Sequence, residues 1–557
     1  MHYSEFIDLY ESLAKTTKKL EKTDILAEFL KKLKNHPPEW VYLLRGRTFP
    51  DYDPSEFGIS DKLTIKTIAK ASGVKESEIL KRFRKIGDLG ELAEEFIGKR
   101  RQSILFHSRL EVKKVFDNLK KLVEFQGKGA VERKISLISE LLNSASGKEA
   151  KYIIRTLLAD LRIGVAEGIL RDALAKAFFH EEEINELIEL KYDIVNDYAV
   201  IFEACSKGKK ELEKLTITPG KPMKVMLPVK VTNIEEAFRI CGKPAAIEHK
   251  YDGFRVIINK TYHGQISLFT RRLENITSQF PDIVEAVKKC VKGDSFILDS
   301  EAVGYDPKTK KYKPFEAVSQ RIKRKYEIEK LIKELPVEIN IFDIVYYNNK
   351  VLAQEPFSER RKLLEKIVHS IERKIRTSTQ FVTDDEKKAL DFYKKALNIG
   401  EEGIMIKKLD APYRAGRRVG FMVKMKPEVK DLDLVIVGAE YGSGKRASWL
   451  TSYIIACKSN DEFLEIGKVS SGLKEKEEQG TSYEDITKLL KPLIIKEKGK
   501  EVKVKPQLVV SVTYQNIQKS PSYSSGYALR FPRITHYRPD RKPYDIATIK
   551  DIEKEIK

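Results

Sequence analysis

Up to about residue 215 the apolar residues recur at intervals of three and four, as in "ISLISELLNSASGKEAKYIIRTLLADLRIG" (135–164), and strand-like alternation is scarce. That spacing predicts helices with one buried face, so residues 1–217 are expected to form an all-α domain. The stretch "TPGKPMKVMLP" (218–228) is dense in Pro and Gly and marks a boundary. Beyond it, short β-rich runs appear ("FRVIINK", "QISLFTR", "SFILDSEAVGY", "INIFDIVYY" and "GIMIKK"), separated by helical stretches such as "SERRKLLEKIVHSIERKI". Residues 218–427 are therefore expected to be a mixed α+β domain. After "KMKPEVKDL" the runs "DLVIVGAEYG", "SYIIACKS", "EFLEIGKVSSG" and "KPQLVVSVTY" predict a small all-β unit, 428–557, a barrel of about five strands.

Composition narrows the class of molecule. A chain of 557 residues exceeds one ordinary hydrophobic core, so a multidomain protein is expected. No apolar run approaches the roughly 20 residues that span a bilayer, and the first residues lack the apolar centre of a signal peptide. The expectation is a soluble, cytoplasmic protein with no membrane role. The four cysteines, Cys205, Cys241, Cys290 and Cys457, are scattered, with no CxxC pair for zinc or a disulfide framework. A formal net charge of +21 favours a polyanionic partner, nucleic acid first; a lysine-rich solvated surface is the plainer explanation.

Two stretches invite chemistry. "DLVIVGAEYGSGKRAS" places a Gly-rich turn after a strand, but a phosphate-cradling loop needs G-x-x-x-x-G-K-[ST]. Ala439 stands five positions before Gly444 where that pattern needs glycine, and Arg446 replaces the hydroxyl residue, so a turn between strands is expected. "EHKYDGFR" places Lys250 before an Asp-Gly turn, in which a positive φ is tolerated. By itself this reads as an ordinary loop lysine. What changes the reading is the order of charged residues on later strands: Arg271 and Arg272, then Glu301, then Phe342, then Glu402 and Lys407, then Lys424 and Lys426.

With these residues in order, the chain resembles the covalent nucleotidyltransferases, whose K-x-D-G motif is followed by five further motifs. It is most similar to the ATP-dependent DNA ligases of the archaeal and eukaryotic replicative type. "LLADLRIGVAEGILRDALAKAF" is similar to the signature of the helical DNA-binding domain, and "SPSYSSGYALRFPRITHYRPDR" to the C-terminal motif, so the resemblance spans nearly the whole chain. It implies an all-α DNA-binding domain, an α+β adenylation domain and an all-β OB-fold domain. It further implies that Lys250 attacks the α-phosphate of ATP, that Glu248 accepts from the adenine amino group, and that Phe342 stacks on the base. Arg255 and Glu301 would contact the ribose, with Arg271, Arg418, Lys424 and Lys426 nearer the phosphates. Glu301 and Glu402 would hold Mg²⁺, or Mn²⁺, which shares its ligands. Arg162 and Gly164 would contribute to DNA binding, and Arg538 and Asp540 to orienting pyrophosphate. AMP would then pass to the 5′-phosphate of a nick, and the 3′-hydroxyl would displace it.

The physical chemistry agrees with these roles. A free lysine, pKa about 10.4, is almost all ammonium at neutral pH, and bringing it near neutrality costs about 4 kcal/mol, which burial and neighbouring cations can supply. The sequence departs from the family where Arg541 replaces the usual lysine of R-x-D-K, where Ser300 precedes Glu301 in place of glycine, and where Ser511 replaces an acid. The implied partner is nicked duplex DNA, bound by a monomer in replication, repair and recombination. A sliding clamp would suit a replicative enzyme, although no Q-x-x-[ILM]-x-x-[FY][FY] peptide is present. An RNA ligase or capping-type nucleotidyltransferase leaves the helical domain unexplained. A non-catalytic nucleic-acid-binding protein leaves Lys250, Glu301, Glu402 and Lys424 unexplained.

Overall fold

The computed structural model describes residues 1–99, 109–179, 183–313, 315–324, 326–417, 419–427, 431–442, 446, 448–474 and 481–556. The chain divides into two compact units, Met1–Lys426 and Pro427–Lys557.

In the first unit, helices run from Tyr3–Lys15 to Lys209–Lys214 and close on one continuous apolar core, with Tyr3, Phe6, Tyr10, Leu26, Tyr152 and Phe202 at its centre. The long periodic run at 135–164 is two helices, Ala130–Ser144 and Gly147–Leu157. Ser146 breaks it by capping the second helix, its Oγ accepting from the Glu149 amide while Glu149 accepts from the Ser146 amide.

Eleven strands among the described residues follow: β1 (Val229–Val231), β2 (Ala245–Lys250), β3 (Phe254–Lys260), β4 (Ile266–Thr270), β5 (Phe296–Gly304), β6 (Val337–Tyr347), β7 (Lys350–Val351), β8 (Ile375–Thr377), β9 (Gln380–Thr383), β10 (Gly403–Lys408) and β11 (Met422–Met425). They make two sheets, one in the order β1-β11-β10-β2-β9 and one in the order β4-β3-β5-β6-β7 with β8 beside β6. Alternation gives each sheet two faces. The outer face of the first packs Ile247, Ile404 and Val423 on helices Ile234–Cys241 and Glu386–Asn398. The outer face of the second packs Phe254, Ala302, Ile339 and Ile341 with residues of helices Pro281–Cys290 and Phe357–Ile367. Between the sheets lies a third apolar cluster, including Met226, Ile257, Ile297 and Met422. The same inner faces carry the polar residues described below.

The helix expected through "SERRKLLEKIVHSIERKI" ends at Ile367. Val368 turns out of it to bridge Val291, and Ile375 begins β8, so a chain segment with helical charge spacing is recruited into a sheet.

The second unit is built on β12 (Asp431–Tyr441), β13 (Leu450–Ser459), β14 (Glu462–Val469), β15 (Ile494–Lys498), β16 (Glu501–Val504), β17 (Val509–Thr513), β18 (Ile517–Lys519), β19 (Tyr527–Leu529) and β20 (Arg533–Tyr537). β12 pairs with β13 along one edge and with β17 and then β16 along the other. The expected five strands are joined by further short ones, including the separate hairpin β18-β19. β12 continues into an antiparallel strand, whereas a phosphate-binding loop would lead into a helix. Gly444 itself lies outside the described residues. No helix among the described residues is long and apolar enough to cross a membrane.

Candidate active site

Lys250 ends β2, opposite Gly403 of β10. Gly403 has φ +142°, and a Cβ there would stand 2.2 Å from the Met425 carbonyl oxygen, so only glycine lets β10 and β11 approach at this point. The amide of the preceding Glu402 donates to the Lys250 carbonyl at 2.9 Å. The Glu402 side chain is thereby turned back over the lysine, and its carboxylate accepts from both Lys250 and Lys426. Lys424 faces Met405, which faces Glu248, so Glu248, Lys250, Lys424 and Lys426 share the inner face of this sheet.

The Asp252-Gly253 turn differs from the expectation. Neither residue adopts a positive φ. Glycine is needed at 253 because a Cβ would lie 2.3 Å from the Ala302 carbonyl oxygen and 3.1 Å from the Glu301 Cγ, so β3 is drawn hard against β5.

The facing sheet supplies the other side chains. Arg255 opposes Glu301. Its guanidinium is clamped on Asp299, with Nε to Oδ1 at 2.8 Å, while Nη1 donates to the Met226 carbonyl at 2.8 Å. Tyr413 completes this clamp, its hydroxyl donating to Asp299 at 2.7 Å. Register shifts by one residue between Asp299 and Ser300, and the extra residue on β6 is Phe342. Alternation puts Phe342 on the face opposite Ile341, where its half-buried ring lies 4.6 Å from Lys407 Nζ and 5.3 Å from the Arg255 guanidinium. Glu248, only 2 % exposed, accepts from Gln380 at 2.9 Å and pairs with Lys407 at 2.7 Å.

Electrostatics at this site are dominated by lost solvent. Burial pushes the Lys250 ammonium below its ordinary value, with Arg255 acting the same way and Glu301, Asp252 and Glu401 opposing. Burial raises the Glu301 carboxyl to about 7, against the pull of Lys250 and Arg255. Glu401 is pushed to about 8 by burial and then by Asp252 and Glu338. Glu401 is 6 % exposed, and its Oε1 has no hydrogen-bond partner among the described residues.

Arg271 sits on the exposed turn after β4, at the end where Thr270 opposes Val256 and therefore near Arg255. Arg418 lies outside the described residues. Arg162 and Gly164 both take left-handed conformations in the loop before helix Glu167–Phe178. Arg162 bonds Asp160 at 2.8 Å and pairs with Asp88 at 3.0 Å, and Lys22 donates to the Ile163 carbonyl beside Gly164. In the second unit, Arg538 bonds Asp433 from Nη1 at 2.9 and 3.1 Å and Asp540 from Nε at 2.9 Å. The Arg538 bond holds the Asp540 carboxyl down at about 2. Arg541 brings Nε to 3.5 Å from Asp433.

Asp299, Asn340, Glu401 and Asp433 were not singled out from sequence. The signal for Asp299 and Asn340 is a polar residue inside an apolar run, and Glu401 stands beside Glu402 in the same motif. The lysine-bearing sheet facing a carboxylate-bearing sheet can activate an amine beside an anion. Two carboxylates, Glu301 and Glu402, are hard oxygen donors of the number that Mg²⁺ takes when phosphates and water complete its shell. No group of three or more His, Cys, Asp or Glu side chains converges among the described residues.

Comparison with known proteins decides the family. The family model described as "ATP dependent DNA ligase domain" matches residues 225–426, "DNA ligase N terminus" matches 2–175, and "ATP dependent DNA ligase C terminal region" matches 446–541. The chain belongs to the ATP-dependent DNA ligases. The DNA ligase of Nanoarchaeum equitans is 46% identical over 559 residues, covering 100% of this chain and 98% of the relative. That of Thermococcus fumicolans is 42% identical, with 100% and 98% covered, and that of Methanopyrus kandleri 40%, with 100% and 98% covered. A solved structure titled "Pmar-Lig_PreS3" matches 96% of this chain and 99% of its own with TM-score 0.57 at 18% identity, which shows a shared fold.

Proposed function

We propose that Lys250 is the nucleophile through which this ligase seals nicks in duplex DNA. The neutral amine attacks the α-phosphorus of ATP. An N–P bond forms, the bond from the α-phosphorus to the bridging oxygen breaks, pyrophosphate leaves, and the amine's proton is released. The lysyl-AMP then passes AMP to the 5′-phosphate of the nick, and the 3′-hydroxyl displaces AMP to join the strand.

The observation that carries this reading is Lys250 itself, whose burial pushes its ammonium below the ordinary value and which is flanked by Glu402, Lys426 and, across the sheets, Glu301 and Arg255. Phe342 stacks on the adenine, whose amino group Glu248 accepts. Arg255 and Glu301 hold the ribose, while Lys424, Lys426, Arg271 and Arg418 offset phosphate charge. Arg538 and Asp540 orient the departing pyrophosphate. Glu301 and Glu402 would hold Mg²⁺, which when bound supplies positive charge to the phosphates. Arg162 and Gly164 shape a loop of the DNA-binding region. A helical N-terminal region of the DNA ligase type supports duplex DNA as substrate over the RNA-ligase and capping alternatives.

Incubation with α-labelled ATP should attach labelled AMP to the wild-type protein and leave Lys250→Ala unlabelled. A Lys250→Ala protein that still labels would remove this residue from the chemistry.

A further inference from the structure

Across the second sheet, Arg255 opposes Glu301, Glu301 opposes Asn340, and Asn340 opposes Arg376. These four side chains form one polar row on the face turned toward Lys250. The residues flanking Asn340 along the strand, Ile339 and Ile341, enter the apolar core on the opposite face. Asn340 is 0% exposed, and neither its amide nitrogen nor its amide oxygen has a hydrogen-bond partner among the described residues. Folding has taken this amide out of water and returned nothing in exchange, which native proteins rarely tolerate for both atoms of one side chain.

A ribose hydroxyl donates one hydrogen bond and accepts others. An ionised carboxylate can only accept, whereas an amide offers a donor and an acceptor together. Glu301 and Asn340, side by side, make the complementary set. Phe342, the base-stacking wall, is two residues along the same strand. Resting on the reading that Glu301 contacts the ribose, we propose that Asn340 is a second ribose-binding residue. Its amide bonds the hydroxyls beside Glu301 and makes the site select ribonucleotides over 2′-deoxyribonucleotides.

Asn340→Leu keeps the volume and removes both polar atoms, so the apo protein should melt at or above the wild-type Tm. In self-adenylylation, kcat/KM for ATP should fall about tenfold, equivalent to about 1.4 kcal/mol. The value for 2′-deoxy-ATP should change little, so the ratio between the two nucleotides narrows. An unchanged ratio overturns the proposal, as does a lowered Tm with equal loss for both nucleotides, which would assign Asn340 to sheet packing. Glu301→Ala separates the two layers of the inference. If it too leaves the ratio unchanged, the ribose reading of Glu301 fails. If it narrows the ratio and Asn340→Leu does not, only the assignment of Asn340 fails. A wild-type ratio near one overturns both.

Discussion

Asp433 gathers two arginines of the C-terminal motif: Arg538 bonds both its oxygens, and Arg541 approaches with Nε. A free arginine loses on the order of 2 kcal/mol of rotamer freedom when it is fixed on a ligand. In the proposed role of Arg538, a carboxylate that already fixes its guanidinium would lessen that loss on meeting pyrophosphate. Arginine at 541, where the family usually has lysine, adds a directional donor to the same carboxylate. Asp433→Asn should therefore slow self-adenylylation about tenfold while leaving sealing by enzyme that already carries AMP near the wild-type rate. The two steps can be read separately with labelled ATP and with a nicked duplex, and equal loss in both would make Asp433 a packing residue only. At this scale the sequence revealed residues whose type and order match a chemical pattern, such as Lys250, Glu301 and Glu402. It did not reveal Asp299, Asn340, Glu401 or Asp433. Alternation says that such a residue leaves the apolar face, but not what it meets on the other side.

Among the strands, the site depends on two close approaches and one shift of register. Gly403 and Gly253 let the backbone come within reach of Met425 and Ala302, and the bulge leaves Phe342 without a partner on β5. Gly403→Ala would force a Cβ into the Met425 carbonyl at a φ that suits only glycine, a strain of about 3 kcal/mol. Its Tm should drop by several degrees and self-adenylylation should be lost, and a variant with wild-type Tm and labelling would show that the strands can part at no expense to the site. The strands were legible because β-branched runs bounded by turns are strong signals: "FRVIINK" is β3 residue for residue. The helix overrun past Ile367 was not legible, since Val368 and Ile375 are drawn into strand pairing by partners far along the chain. The bulge was hidden for the same reason, because register belongs to a pair of strands.

For the whole molecule, the net charge of +21 and the reaction suggest different salt responses for different steps. Self-adenylylation needs only a nucleotide, whereas sealing needs duplex held through phosphate contacts, whose affinity falls steeply with salt. Raising salt from about 50 to 200 mM should weaken nick binding on the order of 10³-fold or more if six or more phosphates are neutralised, and change labelling by ATP far less. Parallel decline of both steps would contradict that division. Within Met1–Lys426, the helical region is tied to the sheets by Lys224, which pairs with Asp193 at 3.1 Å and with Glu167 at 2.5 Å, and by Arg417, which reaches Glu189 at 3.0 Å. Tyr192, whose ring faces Lys224 Nζ at 4.5 Å, and Gly416, beside Asp193, line a cavity of about 250 Å³ at this junction. A grip and a cutting edge forged from one bar need no alignment at the bench: whatever the helices hold is already indexed to the lysine, and a substitution at this seam would show as misplaced chemistry before it showed as lost grip.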